Sequence, residues 1–437
     1  HLGGSSFAQS QDRIGTETPC VQDATYFKTA FNAIQDHISE GKITSGHDIG
    51  SGGLITTLLE LCFPSTSIGM QLDFSGLEET DLVKILFSEK VGVVLQSTED
   101  LTASFTKAGI RALKIGSVSD QNELTVGSFR FSIAEMRKTW MATSTRLEAQ
   151  QTRADLATIR SVNIVKQPLK FQFPDHFDGK KPVPKSNRIK AAVIREKGSN
   201  SEREMAYMMD LSGFEVRDVH MTDLIEGRET LEDIRLLVAV GGFSNSDVLG
   251  SAKGWAGAFK YNPKAKKALE DFFQRPDTLS LGVCNGCQLF VELGLLTPPD
   301  RPQPRMLHND SGKFECIFTA VTIETSSSIM LQGLEGSTLG IWAAHGEGKF
   351  SFPQSENHYQ IPAKYLYHDY PSNPNGSDYN AAMLTSSDGR HLVMMPHLER
   401  STFPWNWAHY PAQRKDEVSP WILAFENAYK WLKYSVV

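Results

Sequence analysis

From Ile189 onward the chain repeats one pattern that few architectures can accommodate. A short apolar run ends in a glycine-rich or polar loop, and apolar residues at helical spacing follow. Ile189–Ile194 leads into Arg195–Ser201 and a helix reaching Leu211; Gly213 stops it, and Phe214–Val219 is the next strand. Leu236–Val240 runs into Gly241-Gly242-Phe243-Ser244, and Leu279–Val283 runs into Cys284 and a helix expected over Cys287–Leu295. Continuous apolar runs of this length suit strands buried on both faces, and helical crossovers between them imply an open, mostly parallel sheet. Active-site loops gather at the carboxyl ends of such strands.

The upstream part differs. Helical spacing over Asp23–Ile38, Leu54–Cys62, Glu78–Phe87 and Thr98–Lys107 alternates with strand candidates Ser67–Asp73, Gly92–Gln96 and Arg111–Val118, the mixture of an α+β layer domain. Ile133–Ile159 reads as one long polar helix. Val165–Asn187 then carries Pro168, Pro174, Pro182 and Pro184 among lysines, and reads as a linker with a solvated charge run at Lys180, Lys181 and Lys185. The expected division is therefore 1–150, 151–188 and 189–437.

Composition excludes several classes. With 44 basic and 51 acidic side chains in 437 residues, a broad nucleic-acid surface is not expected. No apolar run approaches the ~20 residues of a membrane span, and no cleavable leader is evident. Five cysteines, an odd number and few for the length, suit a reducing cytosol better than a disulfide framework. The opening His1-Leu2-Gly3-Gly4-Ser5 reads as a fragment or processed product.

Three motifs carry chemistry. Gly282-Val283-Cys284-Asn285-Gly286 lies between an apolar strand and a helix, where a strained turn can present a nucleophile and small flanking residues avoid collision. The helix N-terminus there favours a thiolate. A nucleophilic cysteine needs a base and an orienting group. Pro396-His397-Leu398-Glu399 follows the apolar run His391–Met395 and sets both side chains on one side of an extended segment. Gly241-Gly242-Phe243-Ser244 can aim backbone N–H groups at a developing oxyanion. Taken alone, these patterns also describe a buried cysteine, two solvated loop residues and a tight turn. Cys284 and Cys287 have redox or half-zinc spacing, but no second C-x-x-C completes a zinc site and no metal site is expected.

In this order the motifs resemble those of class I (triad) glutamine amidotransferases. Within that class the chain is similar to the purine-biosynthetic synthases that convert formylglycinamide ribonucleotide to its amidine. The resemblance is carried by Arg195–Asn200 with Arg203–Met205, Gly241–Trp255, Gly282–Gln288, Asn309–Glu315, Ala344–Gly348, Asn373–Ser377 and Met395–Arg400. Leu2–Ser5 and His47–Leu54 resemble the second aminoimidazole-ribonucleotide-synthetase-like half of the same enzymes. It implies a flavodoxin-like glutaminase sheet preceded by the back half of an α+β synthetase-like domain. It also implies Cys284 as nucleophile, His397 as base and acid, Glu399 as orienting group, and Gly242 and Phe243 N–H groups at the oxyanion. Gln288, Asn309, Ser311, Phe314 and His345 would bind glutamine or shape its pocket. ATP and Mg²⁺ would serve the complete enzyme, chiefly outside this chain, with His47 and Asp48 as the nearest cofactor candidates.

The resemblance is imperfect. Gly50-Ser51 replaces the usual serine and acidic or alanine residue of the His47–Leu54 loop, and His308 stands where arginine is frequent. The first synthetase-like half and the front of the second are expected to be missing, so the chain would act at most as a glutaminase. The alternatives are a glutaminase serving another synthetase and a non-catalytic binding or scaffold relative.

Overall fold

The computed structural model describes residues 1–166 and 170–434; Pro168 of the expected linker lies outside them. The chain forms two compact units, His1–Leu147 and residues 148–437. Among the described residues no helix is long and apolar enough to cross a membrane.

In the first unit, Asp23 caps the helix Ala24–Ser39 by accepting from the amides of Thr25 and Tyr26. Ile43–Asp48 pairs antiparallel with Val93–Ser97. A four-stranded sheet runs in the order Gly116–Ser119, Gly69–Leu72, Glu123–Val126, Phe129–Ser132. The helix Gly53–Cys62 contributes Leu54, Leu58 and Cys62 to a small core shared with Leu124 and Ile133. The expected strand over Arg111–Val118 shrinks to Gly116–Ser119.

The polar helix expected over Ile133–Ile159 is two helices, Ile133–Glu148 and Ala154–Asn163. Neither glycine nor proline breaks it. Instead, the Thr152 hydroxyl donates to the Ser311 carbonyl at 2.6 Å, a partner 159 positions away that a local reading cannot supply.

The second unit is built on a six-stranded sheet. Its strands are β1 (Ile189–Arg195), β2 (Phe214–His220), β3 (Leu236–Ala239), β4 (Leu279–Val283), β5 (Met383–Thr385) and β6 (His391–Met394). They lie in the order β2-β1-β3-β4-β6-β5, parallel except for β5. β3, β4, β5 and β6 are buried along their whole length, as expected for strands covered on both faces. The sequence reading placed no elements between residues 296 and 390. There a three-stranded antiparallel sheet forms, with Glu315–Ile323 at its centre between Thr338–His345 and Ala363–Tyr365.

The stretch expected to be a solvated linker is pinned to this unit. Phe171 and Phe173 pack at 5.0 and 5.8 Å from the Trp407 ring, Phe177 is buried, and Gln172 exchanges backbone hydrogen bonds with Thr338. Packing three aromatic side chains, Phe177 buried and Phe171 and Phe173 partly so, outweighs the conformational freedom a proline-rich segment would otherwise keep.

Candidate active site

Cys284 closes β4 and precedes the helix Asn285–Glu292 with φ 51° and ψ −105°, outside the regions ordinary residues favour. The glycines of the motif permit this turn by close approach. A Cβ on Gly282 would lie 2.6 Å from the Gly286 carbonyl oxygen, and one on Gly286 would lie 2.0 Å from that of Ala239. The backbone is held by the Cys284 N–H donating to the Met394 carbonyl at 2.8 Å. Strain of this kind costs about 1–3 kcal/mol and persists only where the surroundings enforce it.

β4 and β6 are adjacent parallel strands, so the loops at their carboxyl ends meet. His397 and Glu399 follow β6, both buried, with His397 Nδ1 2.6 Å from Glu399 Oε1. The His397 N–H donates to the Trp342 carbonyl at 2.7 Å, fixing the segment. Its ring is buried and lies close enough to Cys284 for each group to shift the other.

Burial pushes the Cys284 thiol up, but the charge of the neighbouring His397, hydrogen bonds from His345 and His397 and the charge of His345 together bring it down to about 6. Burial pulls His397 down, and the charges of Glu399 and Cys284 raise it to about 10. Glu399 is held low despite its burial by His397. The three groups therefore favour a thiolate beside an imidazolium near neutral pH. Cys287, with no such partner, is pushed well up by burial.

A cleft of about 260 Å³ opens over Cys284. Of the expected residues, Gly242, Phe243, Gln288, Phe314 and His345 line it beside Cys284, whereas Asn309 and Ser311 do not. Asn309 is spent on its surroundings: its Nδ2 donates to the His345 and Lys313 carbonyls and its Oδ1 accepts from Gly348. Ser311 is buried. Gln288 Nε2 donates to the Glu347 carbonyl and its Oε1 accepts from Asn285, so its amide frames the cleft. The rings of Phe243 and Phe314, each 48% exposed, stand 5.9 Å apart at the rim.

The oxyanion expectation changes in one respect. The Phe243 N–H donates to the Gly198 carbonyl at 2.8 Å and is not available to a substrate. Gly242, at φ 122° and with its Cα against Ser199 and Asn200, presents its backbone to the cleft without a side chain. The helix that follows Cys284 starts at the same place, and a helix start leaves its first N–H groups without intrahelical partners. Asp247, Ser251 and Glu347, which fall within motifs already quoted but were given no role from sequence, also line the cleft, as does His308, noted only as standing where arginine is frequent.

His47 and Asp48 lie in the first unit. His47 Nε2 is 3.2 Å from Glu60 Oε2, its Nδ1 is 2.7 Å from the Asp48 carbonyl, and the Asp48 carboxylate is largely exposed. Glu89 accepts from the amides of Gly52 and Ser6 at 2.7 and 2.8 Å. The Glu89 carboxylate thus occupies these two amides, and His47 and Asp48 hold contacts of their own beside them. Among the described residues no three His, Cys, Asp or Glu side chains converge as a metal site.

A cysteine elbow after one strand and a histidine–glutamate pair after its parallel neighbour meet at one cleft. Residues 188–432 match the model of the CobB/CobQ-like glutamine amidotransferase domain, and the chain belongs to that family. Residues 1–128 match the AIR synthase related protein, C-terminal domain. The chain is 41% identical to the probable phosphoribosylformylglycinamidine synthase, chloroplastic/mitochondrial, of Arabidopsis thaliana, over 99% of this chain and 33% of the relative. It is 36% identical to the phosphoribosylformylglycinamidine synthase of Homo sapiens, over 98% and 35%. Against the probable phosphoribosylformylglycinamidine synthase of Caenorhabditis elegans it is 34% identical, over 98% and 37%. The chain thus spans about a third of the length of the curated relatives it matches.

Proposed function

We propose that this chain is the glutaminase end of a phosphoribosylformylglycinamidine synthase, releasing ammonia from glutamine for purine biosynthesis. The observation that carries the reading is Cys284, strained into the elbow with its thiol near 6 beside the 2.6 Å His397–Glu399 pair. The names of the relatives support the choice of synthase.

Cys284 thiolate adds to the glutamine carboxamide carbon, forming the C–S bond and placing charge on oxygen. The Gly242 N–H and the helix start after Cys284 stabilise that charge. The His397 imidazolium gives its proton to the nitrogen as the C–N bond breaks, and ammonia leaves. Neutral His397 then draws a proton from water, which attacks the thioester carbon and yields glutamate and free Cys284. Glu399 holds the imidazole in one tautomer and stabilises its charged form throughout. Phe243, Gln288, Phe314 and His345 enclose the substrate.

The ammonia would serve the ATP-dependent conversion of formylglycinamide ribonucleotide to its amidine. That step would be completed by synthetase domains carried elsewhere, together with ATP and Mg²⁺. The half-exposed Tyr26, Phe27 and Phe31 on the helix Ala24–Ser39 offer apolar surface suited to such a companion domain.

The test is labelling with a glutamine-like diazo-ketone followed by peptide mass spectrometry. A single adduct on Cys284, blocked by glutamine and lost in Cys284→Ala, is the expected result. No adduct, or glutamine-insensitive labelling shared with Cys287, would refute the glutaminase reading.

A further inference from the structure

The side chains that line the cleft over Cys284 are divided by charge. Asp247 brings a carboxylate from the short turn Ser244–Asp247, Glu347 brings another from the loop after the strand Thr338–His345, and Lys313 brings an ammonium from a third segment. Among the described residues the one ion pair of either carboxylate is Glu347 Oε1 with Nδ1 of the exposed His308, 3.8 Å apart. Ser251 ties the two acids together. Its N–H donates to Glu347 Oε2 at 3.2 Å and its hydroxyl to Asp247 Oδ2 at 3.3 Å.

Two carboxylates gathered in this way oppose each other. Asp247 is pushed up by burial and by the charge of Glu347, and the Ser251 hydroxyl and the Ala252 amide offset only part of this. A cation beside them would relieve the opposition, but Lys313, the lysine of the cleft wall, is held elsewhere. Its Nζ is 2.5 Å from Glu148 Oε1, an oxygen that also accepts from Arg160 Nη1 at 3.0 Å. An ammonium has three N–H donors; Glu148 takes one, and the others are left for what enters the cleft. The protein thus keeps opposite charges apart on the walls of one cleft, where a zwitterion can meet both.

We propose that these groups read the α-carbon end of glutamine: Lys313 donates to the α-carboxylate, and Asp247 and Glu347 accept from the α-ammonium. This rests on the glutaminase reading and deepens it, because it restricts the substrate to a free α-amino acid. A glutamine acylated at nitrogen brings no cation and leaves Asp247 and Glu347 opposed. A γ-carboxamide without an α-carboxylate leaves the Lys313 donors unmet. A polar site rejects an analogue that lacks the matching group far more strongly than an apolar wall does. Glu148 acts as a positioning residue, holding the Lys313 ammonium at the cleft wall while sharing its own charge with Arg160.

The experiment measures, on the full chain, the concentrations of three ligands that half-protect Cys284 from iodoacetamide. They are glutamine, glutaramate, which lacks the α-amino group, and glutaminamide, whose α-carboxylate is an amide. Glutamine should protect at concentrations about tenfold or more below either analogue. Asp247→Asn and Glu347→Gln should each shrink the advantage over glutaramate and keep the advantage over glutaminamide. Lys313→Met should do the reverse. A general loosening of the cleft would weaken all three ligands alike, so the crossed pattern separates recognition from damage. Equal protection by the three ligands, or variants that weaken them alike with Cys284 still alkylated, would overturn the proposal and leave the glutaminase reading standing. Failure of glutamine to protect Cys284 in the unaltered chain would overturn both.

Discussion

The Cα of Gly286 packs against the carbonyl of Ala239 so closely that a methyl group would fall 2.0 Å from the oxygen. This contact joins the helix after Cys284 to the end of β3, one strand away. It sets how far the nucleophile stands above the sheet.

Gly286→Ala should therefore damage the elbow. Overpacking a buried site costs roughly 1–3 kcal/mol, and here the atom met is backbone, which cannot rotate away. A lowered unfolding temperature together with diminished diazo-ketone labelling of Cys284 is the expected result. Unchanged stability and labelling would show that the elbow relaxes freely.

The rate of Cys284 alkylation should rise as pH passes through about 6 and stay flat above it, because the thiol is held down to about 6. The sign follows from the ion pair: His397 favours the thiolate, so reactivity is lost only as acid removes it. In His397→Ala burial is left without its main counterweight, and the midpoint should move above about 8.5, the ordinary cysteine value. Iodoacetamide kinetics from pH 4.5 to 10 measure both.

Glu399→Gln preserves the shape of the pair but not its charge. Glutamine hydrolysis should fall by about 10⁴-fold, the scale seen when a triad carboxylate becomes an amide. The alkylation midpoint of Cys284 should rise as well, since His397 loses the charge that keeps it protonated. A drop in hydrolysis without a shifted midpoint would limit Glu399 to orientation.

His391, on β6, is buried against Phe273, its Nδ1 2.9 Å from Ser280 Oγ. Burial lowers it from 6.5 to about 4. Below 6.5 the unfolded chain therefore binds a proton that the folded one resists, and stability declines as pH falls from 6.5 toward 4. His391→Asn should flatten that part of the stability curve in urea titrations at successive pH values. An identical slope would assign the decline to other groups.

Much of the glutaminase half was legible along the chain. The apolar runs of β1, β3 and β4 needed only their own residues to be read as buried strands. Gly282, Cys284 and Gly286 announced the elbow, because only small residues tolerate its contacts. His397 and Glu399 share one side of an extended segment, and alternation alone places them there. The polar stretch at 149–153 misled, because the helix breaks there in company with a hydrogen bond to Ser311.

What the sequence by itself determined were features set by neighbours a few positions apart: strand runs, turn glycines, and the spacing of histidine and glutamate. Tertiary structure alone decided which groups face Cys284. It brought Asn375 to His345 across 30 positions and committed the Phe243 amide to Gly198. It also turned Asn309 away from the cleft and set Glu89 on the loop before the helix Gly53–Cys62. Hydrogen bonds and burial depend on distance in space, and pairing across strands and loops sets that distance, so no local pattern records it.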